Sequence, residues 1–190
     1  MTRCIIPAMN RQLTRAFVAL VVGAVMAASV SAQQVTKKNI EGISTFAQVE
    51  TTIACGGSTK PEAIREISKM GFKSVINLRL ASEEGAQVEE EGAAVAAAGM
   101  NYVHLPFSVP SPDPKLIDNF IAAVAAPANQ PAYVHCAAGG RAAALWMIKR
   151  VIADGWDEPR ALEEANRLGL NDRLRPFALN YIHSHPVRRN

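Results

Sequence analysis

The sequence predicts an α/β fold, with a mainly parallel central sheet flanked by helices and a functional loop between a strand and a helix. Three observations predict it. Short β-branched or apolar runs alternate along the chain with segments of helix length. Glycine or proline punctuates most of the junctions between them. One run ends in His135-Cys-Ala-Ala-Gly-Gly-Arg141, which leads straight into a helix-length apolar segment. Alternation of this kind builds a parallel sheet covered on both faces, and ligands bind such sheets beyond the carboxyl ends of strands.

The elements follow in order. Arg3, Arg11 and Arg15 precede an apolar run over 17–28, and Ser29-Val-Ser-Ala32 then supplies small residues. That order is a secretory signal, so residues 1–32 are expected to be removed and the protein exported, to the periplasm or beyond. The apolar run is short for a membrane span, and an uncleaved N-terminal anchor is the alternative reading. Residues 33–45 are polar and read as a linker. Runs at 46–49 and 52–55 suit two strands, and Gly56-Gly57 ends them. Thr59, Pro61 and Glu62 look like a capping-box start to a helix that runs to Met70. A strand at 74–78 and an alanine-rich helix over 83–98 come next. After a strand at 101–105, four prolines make 106–114 a loop. Helices are expected at 116–125, 141–153, 158–168 and 175–183, with a strand at 131–135. The domain thus spans 46–185, and 186–190 form a tail.

Charge excludes one class of partner. The chain has 20 basic and 17 acidic residues. Three of the basic residues lie in the signal, so the remainder is balanced, and no basic cluster of the kind that binds nucleic acid stands out.

The chemistry is concentrated at 135–141. A turn of Ala137, Ala138, Gly139 and Gly140 can aim several backbone N–H groups at one centre, because the glycines admit φ > 0. The helix that follows adds its positive end, so the turn becomes an anion cradle. Arg141 offers a forked grip on phosphate. Cys136 sits at the mouth, where the same groups favour its thiolate for attack at phosphorus. His135 orients the loop by hydrogen bonding. A cysteine at a strand end, taken alone, reads as a small core residue. The histidine before it, the glycines and the arginine turn that reading into a site.

At these residues the chain resembles the cysteine-dependent phosphatases, whose signature is His-Cys-x5-Arg, and in particular the bacterial phosphatase-like branch related to dual-specificity enzymes. Gly71-Phe-Lys-Ser-Val-Ile-Asn-Leu-Arg79, Tyr102-Val-His-Leu-Pro106, and Ala144-Leu-Trp146 through Asp154-Gly-Trp156 carry the same resemblance over roughly 45–183. It implies hydrolysis of phosphomonoesters through a phosphocysteine, with Cys136 as nucleophile, Arg141 as phosphate clamp and no metal or other cofactor. The implied substrate is a phosphorylated protein or a small phosphorylated molecule.

Three departures stand beside the resemblance. Only four residues separate Cys136 from Arg141. Residue 142 is alanine where the family carries a hydroxyl. The loop after the 101–105 strand offers one acid, Asp113, as general acid, and Asp113 equally suits the N-cap of the next helix because Pro114 follows. Arg79, at a strand end, is a candidate border of the anion site. Cys55, at another, is a candidate redox partner for Cys136. The shorter loop also fits rhodanese-like sulfur transfer on a Cys136 persulfide, and a non-catalytic anion-binding module is the third possibility. Trp146 and Trp156 read as packing residues. His183 and His185 are a weak metal signal.

Overall fold

The computed structural model describes residues 33–108 and 113–187. The signal expected at 1–32 lies outside them. Strands β1 (Val35–Lys37), β2 (Phe46–Val49), β3 (Ile53–Gly56), β4 (Ser74–Asn77), β5 (Asn101–His104) and β6 (Ala132–His135) form one sheet in the order β1-β2-β3-β6-β4-β5. Helices α1 (Ile64–Lys69), α2 (Val88–Ala97), α3 (Pro114–Ala125), α4 (Gly140–Ile152), α5 (Glu158–Leu168) and α6 (Arg175–Ser184) complete it. β3, β6, β4 and β5 run parallel, while β1, β2 and β3 are antiparallel neighbours. The mainly parallel sheet expected from the sequence is therefore present.

β6 lies between β3 and β4, and all four of its residues are buried. Alternation along it divides the interior. Val134, followed by Cys136, joins a core with α3, α4, α5 and α6, while Tyr133 joins a second core with α1 and α2. α4 is nearly all apolar and buried, as a helix enclosed by two others and a sheet must be.

One charged cluster holds α4 to α5. Glu164 Oε1 accepts from Trp146 Nε1 at 2.6 Å and from Arg150 Nε at 2.8 Å. The Arg150 guanidinium stacks between Trp146 and Trp156, at 4.4 and 4.1 Å from the ring centroids. Both tryptophans are packing residues, as their sequence setting suggested.

Three local expectations are corrected. Residues 33–45 are more than a linker, because β1 pairs with β2 in the register Val35↔Val49 and Lys37↔Ala47. The helix expected from residue 83 starts at Val88, since 81–87 is a turn with Gly85 at φ 69°. The capping box does not form: Thr59 Oγ1 donates to Gly57 O at 2.9 Å and shares a 2.7 Å hydrogen bond with Tyr133 Oη. A 3₁₀ turn, Pro61–Ala63, opens α1 instead.

Candidate active site

β6 delivers Cys136 to the carboxyl end of the sheet, and the loop after it is pinned from one side. Cys136 N–H donates to Gly56 O at 3.2 Å, and Ala137 O accepts from Ser58 N–H at 2.9 Å. A bridge between Gly57 and Ala138 completes the staple. Gly139 takes φ 85°, a conformation that a side chain would strain, and so turns its N–H back onto Cys136 Sγ at 3.2 Å. α4 then starts at Gly140 with its positive end beside the thiol. A Cβ on Gly140 would lie only 2.8 Å from Leu174 Cδ1.

Cys136 is 2% exposed and lies in the wall of a cavity of about 300 Å³. Leu80, Phe107 and Leu174 give that cavity apolar sides, with Ala137, Ala138, Gly140 and Arg141 contributed by the loop and helix start. Arg141 is itself held in place. Its Nη1 and Nη2 donate to Glu83 Oε1 and Oε2 at 2.6 and 2.7 Å, and Nη1 also donates to Phe107 O at 2.9 Å. Such a bidentate pair fixes the guanidinium plane before any ligand arrives.

Glu83 also accepts from Leu80 N–H at 2.8 Å. Burial pushes its carboxyl upward, but hydrogen bonds from Arg141 and Leu80 and the charges of Arg141 and Arg79 outweigh this, so its pKa lies below the ordinary value. A carboxyl held down in the folded state stabilises the fold above its unfolded pKa, and that contribution is lost as pH falls through the folded one. Stability is therefore expected to decline as pH falls through the acid range below ordinary glutamate titration. In Glu83→Gln that part of the decline should flatten. Chemical denaturation across an acid pH series checks this, and parallel curves for both proteins would refute it.

The other sequence candidates fall differently. His135 is fully buried and faces away from the cavity, toward α2: its Nε2 lies 2.6 Å from Glu91 Oε1, and its ring stacks on Tyr133. It supports the sheet and does not touch a ligand in the cavity, because strand alternation sends His135 and Cys136 to opposite faces. Arg79 is 4% exposed and does not line the cavity either. It donates to Gly85 O at 2.8 Å and Ser58 Oγ at 3.2 Å and stands behind Glu83, holding the 83–85 turn. Asp113 is exposed, and its Oδ1 accepts from Lys115 N–H at 2.9 Å as the N-cap of α3. It is not among the residues that line the cavity.

Cys55 and Cys136 are both buried free thiols. Cys55 pairs with Val134, so it shares a sheet face with Cys136 but sits two residues back on the neighbouring strand. That diagonal corresponds to a Cα separation of about 8 Å, beyond the span a disulfide bridges without backbone movement. Burial, with the nearby charges of Cys136 and Glu164, pushes the Cys55 thiol far upward. At the C-terminal end, His183 Nε2 pairs with Glu158 at 2.6 Å, and His185 stacks on Tyr181. Among the described residues no cluster of three potential metal ligands forms.

Sequence reasoning missed three contributors: Glu83 as the partner of Arg141, and Asn171 and Arg173, which line the cavity from the turn between α5 and α6. In sequence Glu83, with Glu84, reads as an acid opening a helix beside the cleft, suited to the helix dipole or to an acid role, and not as the partner of Arg141. The other two had no signal, because only tertiary packing brings that turn over the loop.

Sheet order, cysteine loop and helix-borne arginine together define a protein of the cysteine-phosphatase fold. Residues 45–153, more than half of the 190-residue chain, match the model of the phosphatase-like domain of beta-lactamase hydrolase-like protein. The chain belongs to that family. A beta-lactamase hydrolase-like protein of Agrobacterium fabrum (strain C58 / ATCC 33970) is 38% identical over 84 residues, which is 43% of this chain. The match spans only 19% of that relative's length. Among solved structures, P. aeruginosa TpbA in complex with pTyr superposes with a TM-score of 0.63 at 17% identity, over 84% of this chain and 93% of TpbA. The catalytic domain of the PP-IP phosphatase SIW14 from S. cerevisiae gives 0.58 at 22% identity, over 72% of this chain and 84% of that one. These likenesses establish the fold.

Proposed function

We propose that the chain is a phosphomonoester hydrolase of the tyrosine/dual-specificity type, working through Cys136. The observation that carries this reading is the placement of Cys136 Sγ in the cavity wall, with the Gly139 N–H on it and Arg141 beside it in the same wall. The Cys136 thiolate attacks phosphorus and forms an S–P bond as the P–O bond to the leaving group breaks. Loop N–H groups and Arg141 take up the charge on the non-bridging oxygens. Water then cleaves the S–P bond, releasing orthophosphate and restoring the thiolate.

The leaving oxygen receives no obvious proton. Glu83 is the only carboxylate among the described lining residues, and Arg141 occupies it. Asp113 is the remaining candidate, and its contact is with the α3 amide. Asp113→Asn, which keeps an N-cap, is therefore expected to hold turnover of p-nitrophenyl phosphate within about twofold, whereas Asp113→Ala costs about 1 kcal/mol of stability. A large loss in Asp113→Asn at acid and neutral pH that vanishes as pH rises, with the basic limb of the rate profile gone, would restore it as general acid.

The test of the whole reading is p-nitrophenyl phosphate hydrolysis by reduced protein, with acid quenching and mass spectrometry of the Cys136 peptide. A phosphoryl group on Cys136 supports the proposal. The four-residue spacing between Cys136 and Arg141 favours a second reading, sulfur transfer. It predicts thiosulfate:cyanide activity and an added sulfur atom on the same peptide. Neither modification would leave an anion-binding module. The reading includes export, and the N-terminus of protein recovered from the cell envelope should then begin at residue 33.

A further inference from the structure

A second cavity, of about 240 Å³, opens on the other side of the same loop. Its position follows from register. Lys37 pairs with Ala47, Ala47 with Cys55, and Cys55 with Val134, so these side chains share the sheet face that carries Cys136. Lys37, Ala47 and Cys55 all line the cavity, Arg167 reaches it from the end of α5, and Lys38 closes the rim. Ser44, Thr45 and Asn39 add hydroxyl and amide donors. Among the described residues no carboxylate lines it, in contrast to the cavity beside Glu41, Glu62 and Glu66.

Neither Lys37 nor Lys38 has an ion-pair partner among the described residues. Arg167 has one, Glu163 at 2.6 Å, but both side chains are about half exposed, so the pair yields readily to a stronger anion. Ala138 lines this cavity and the Cys136 cavity alike. Its methyl group is exposed and puts no charge or bulk between them.

We propose that the second cavity is an anion subsite, and that the substrate carries a second phosphate-class group seated among Lys37, Lys38 and Arg167. This deepens the phosphatase reading above and rests on it. A substrate spanning Ala138 places its terminal phosphoryl group at Cys136 and a further anionic group, beyond the bond that is cleaved, on the three cations. Among the described residues that line the Cys136 cavity the one acid, Glu83, is taken up by Arg141, which points the same way. When the bond cleaved is a phosphoanhydride, the departing phosphate leaves as a stable anion with its electron pair and needs no proton from the enzyme.

Inorganic tripolyphosphate is the probe, with orthophosphate as the single-anion control, both at one fixed ionic strength. Against p-nitrophenyl phosphate turnover, tripolyphosphate is expected to inhibit competitively and at least tenfold more tightly than orthophosphate. In the Lys37→Gln/Lys38→Gln/Arg167→Gln variant that advantage should fall to threefold or less, with KM for p-nitrophenyl phosphate and orthophosphate inhibition unchanged. Lys37→Gln/Lys38→Gln alone, which leaves α5 untouched, should lose part of it. Equal tripolyphosphate inhibition of wild type and both variants overturns the proposal, as does a matching loss for orthophosphate. Calorimetric binding of the two anions gives the same comparison without turnover. A protein that hydrolyses nothing but binds tripolyphosphate through these cations refutes the phosphatase reading and keeps the subsite.

Discussion

Cys136→Ser is expected to abolish p-nitrophenyl phosphate hydrolysis, with a loss of at least roughly a thousandfold, about 4 kcal/mol in the barrier. The substitution removes one polarisable sulfur and little volume from a residue that is 2% exposed. The serine hydroxyl stays protonated beside the Gly139 N–H, so no nucleophile is left to form the covalent intermediate. The cradle itself does not depend on sulfur: its staples run between backbone groups of 56–58 and 136–138. Orthophosphate should therefore bind at least as well as before. Initial rates together with calorimetry check both halves. Residual turnover above a hundredth of wild type would mean that another group attacks phosphorus.

The largest effect on stability is expected at Glu164. Its carboxylate is buried and receives Trp146 Nε1 and Arg150 Nε. Glu164→Ala leaves Arg150 with Asp154, at 3.1 Å on the partly exposed side, and with Gln33 Oε1, and it leaves the indole N–H without its acceptor. Removing one member of a buried pair costs about 3–5 kcal/mol where the other charge is left uncompensated, and the remaining Asp154 contact puts this loss at the lower end, about 3 kcal/mol. For a domain of this size each kcal/mol lowers the melting midpoint by about 2–4 °C, so a fall on the order of 10 °C is expected. Glu164→Gln keeps an acceptor for the indole and should lose less. Since the cluster sits along α4 away from Gly140 and Arg141, turnover well below the midpoint should stay within a few-fold of wild type. Calorimetric scans with rates at 20–25 °C separate the two effects, and a midpoint shift under about 3 °C would contradict the argument.

Much of this was legible in the chain. The limits expected for α3, α4, α5 and α6 lie close to those observed, because each carries apolar residues that it buries and glycine or proline punctuates the junctions between them. The loop was legible because its chemistry is local: cysteine, glycines and arginine within six residues. What failed depended on partners distant in sequence. Glu83 was read as part of a helix because nothing in 83–98 reveals that Arg141 and Leu80 claim its carboxylate. Thr59 was read as a cap, and Tyr133 claims it from 74 residues away. β1 was missed because a three-residue charged edge strand has too little pattern to read, which is how sheets protect their edges. His135 was avoidable: the period of two that puts Val134 and Cys136 on one face puts Tyr133 and His135 on the other.

The staple between 56–58 and 136–138 has a consequence for how an anion is received. Gly57 N–H is itself held by Thr45 O at 2.9 Å, and Ser58 O by Ser44 N–H at 2.9 Å, so two successive segments brace the loop before it meets a ligand. Backbone fixed in advance loses little conformational freedom on binding. On the proposed function, recognition would therefore resemble insertion into a rigid mould. Selectivity among anions should follow their shape and charge spacing, with little penalty for ordering the receptor.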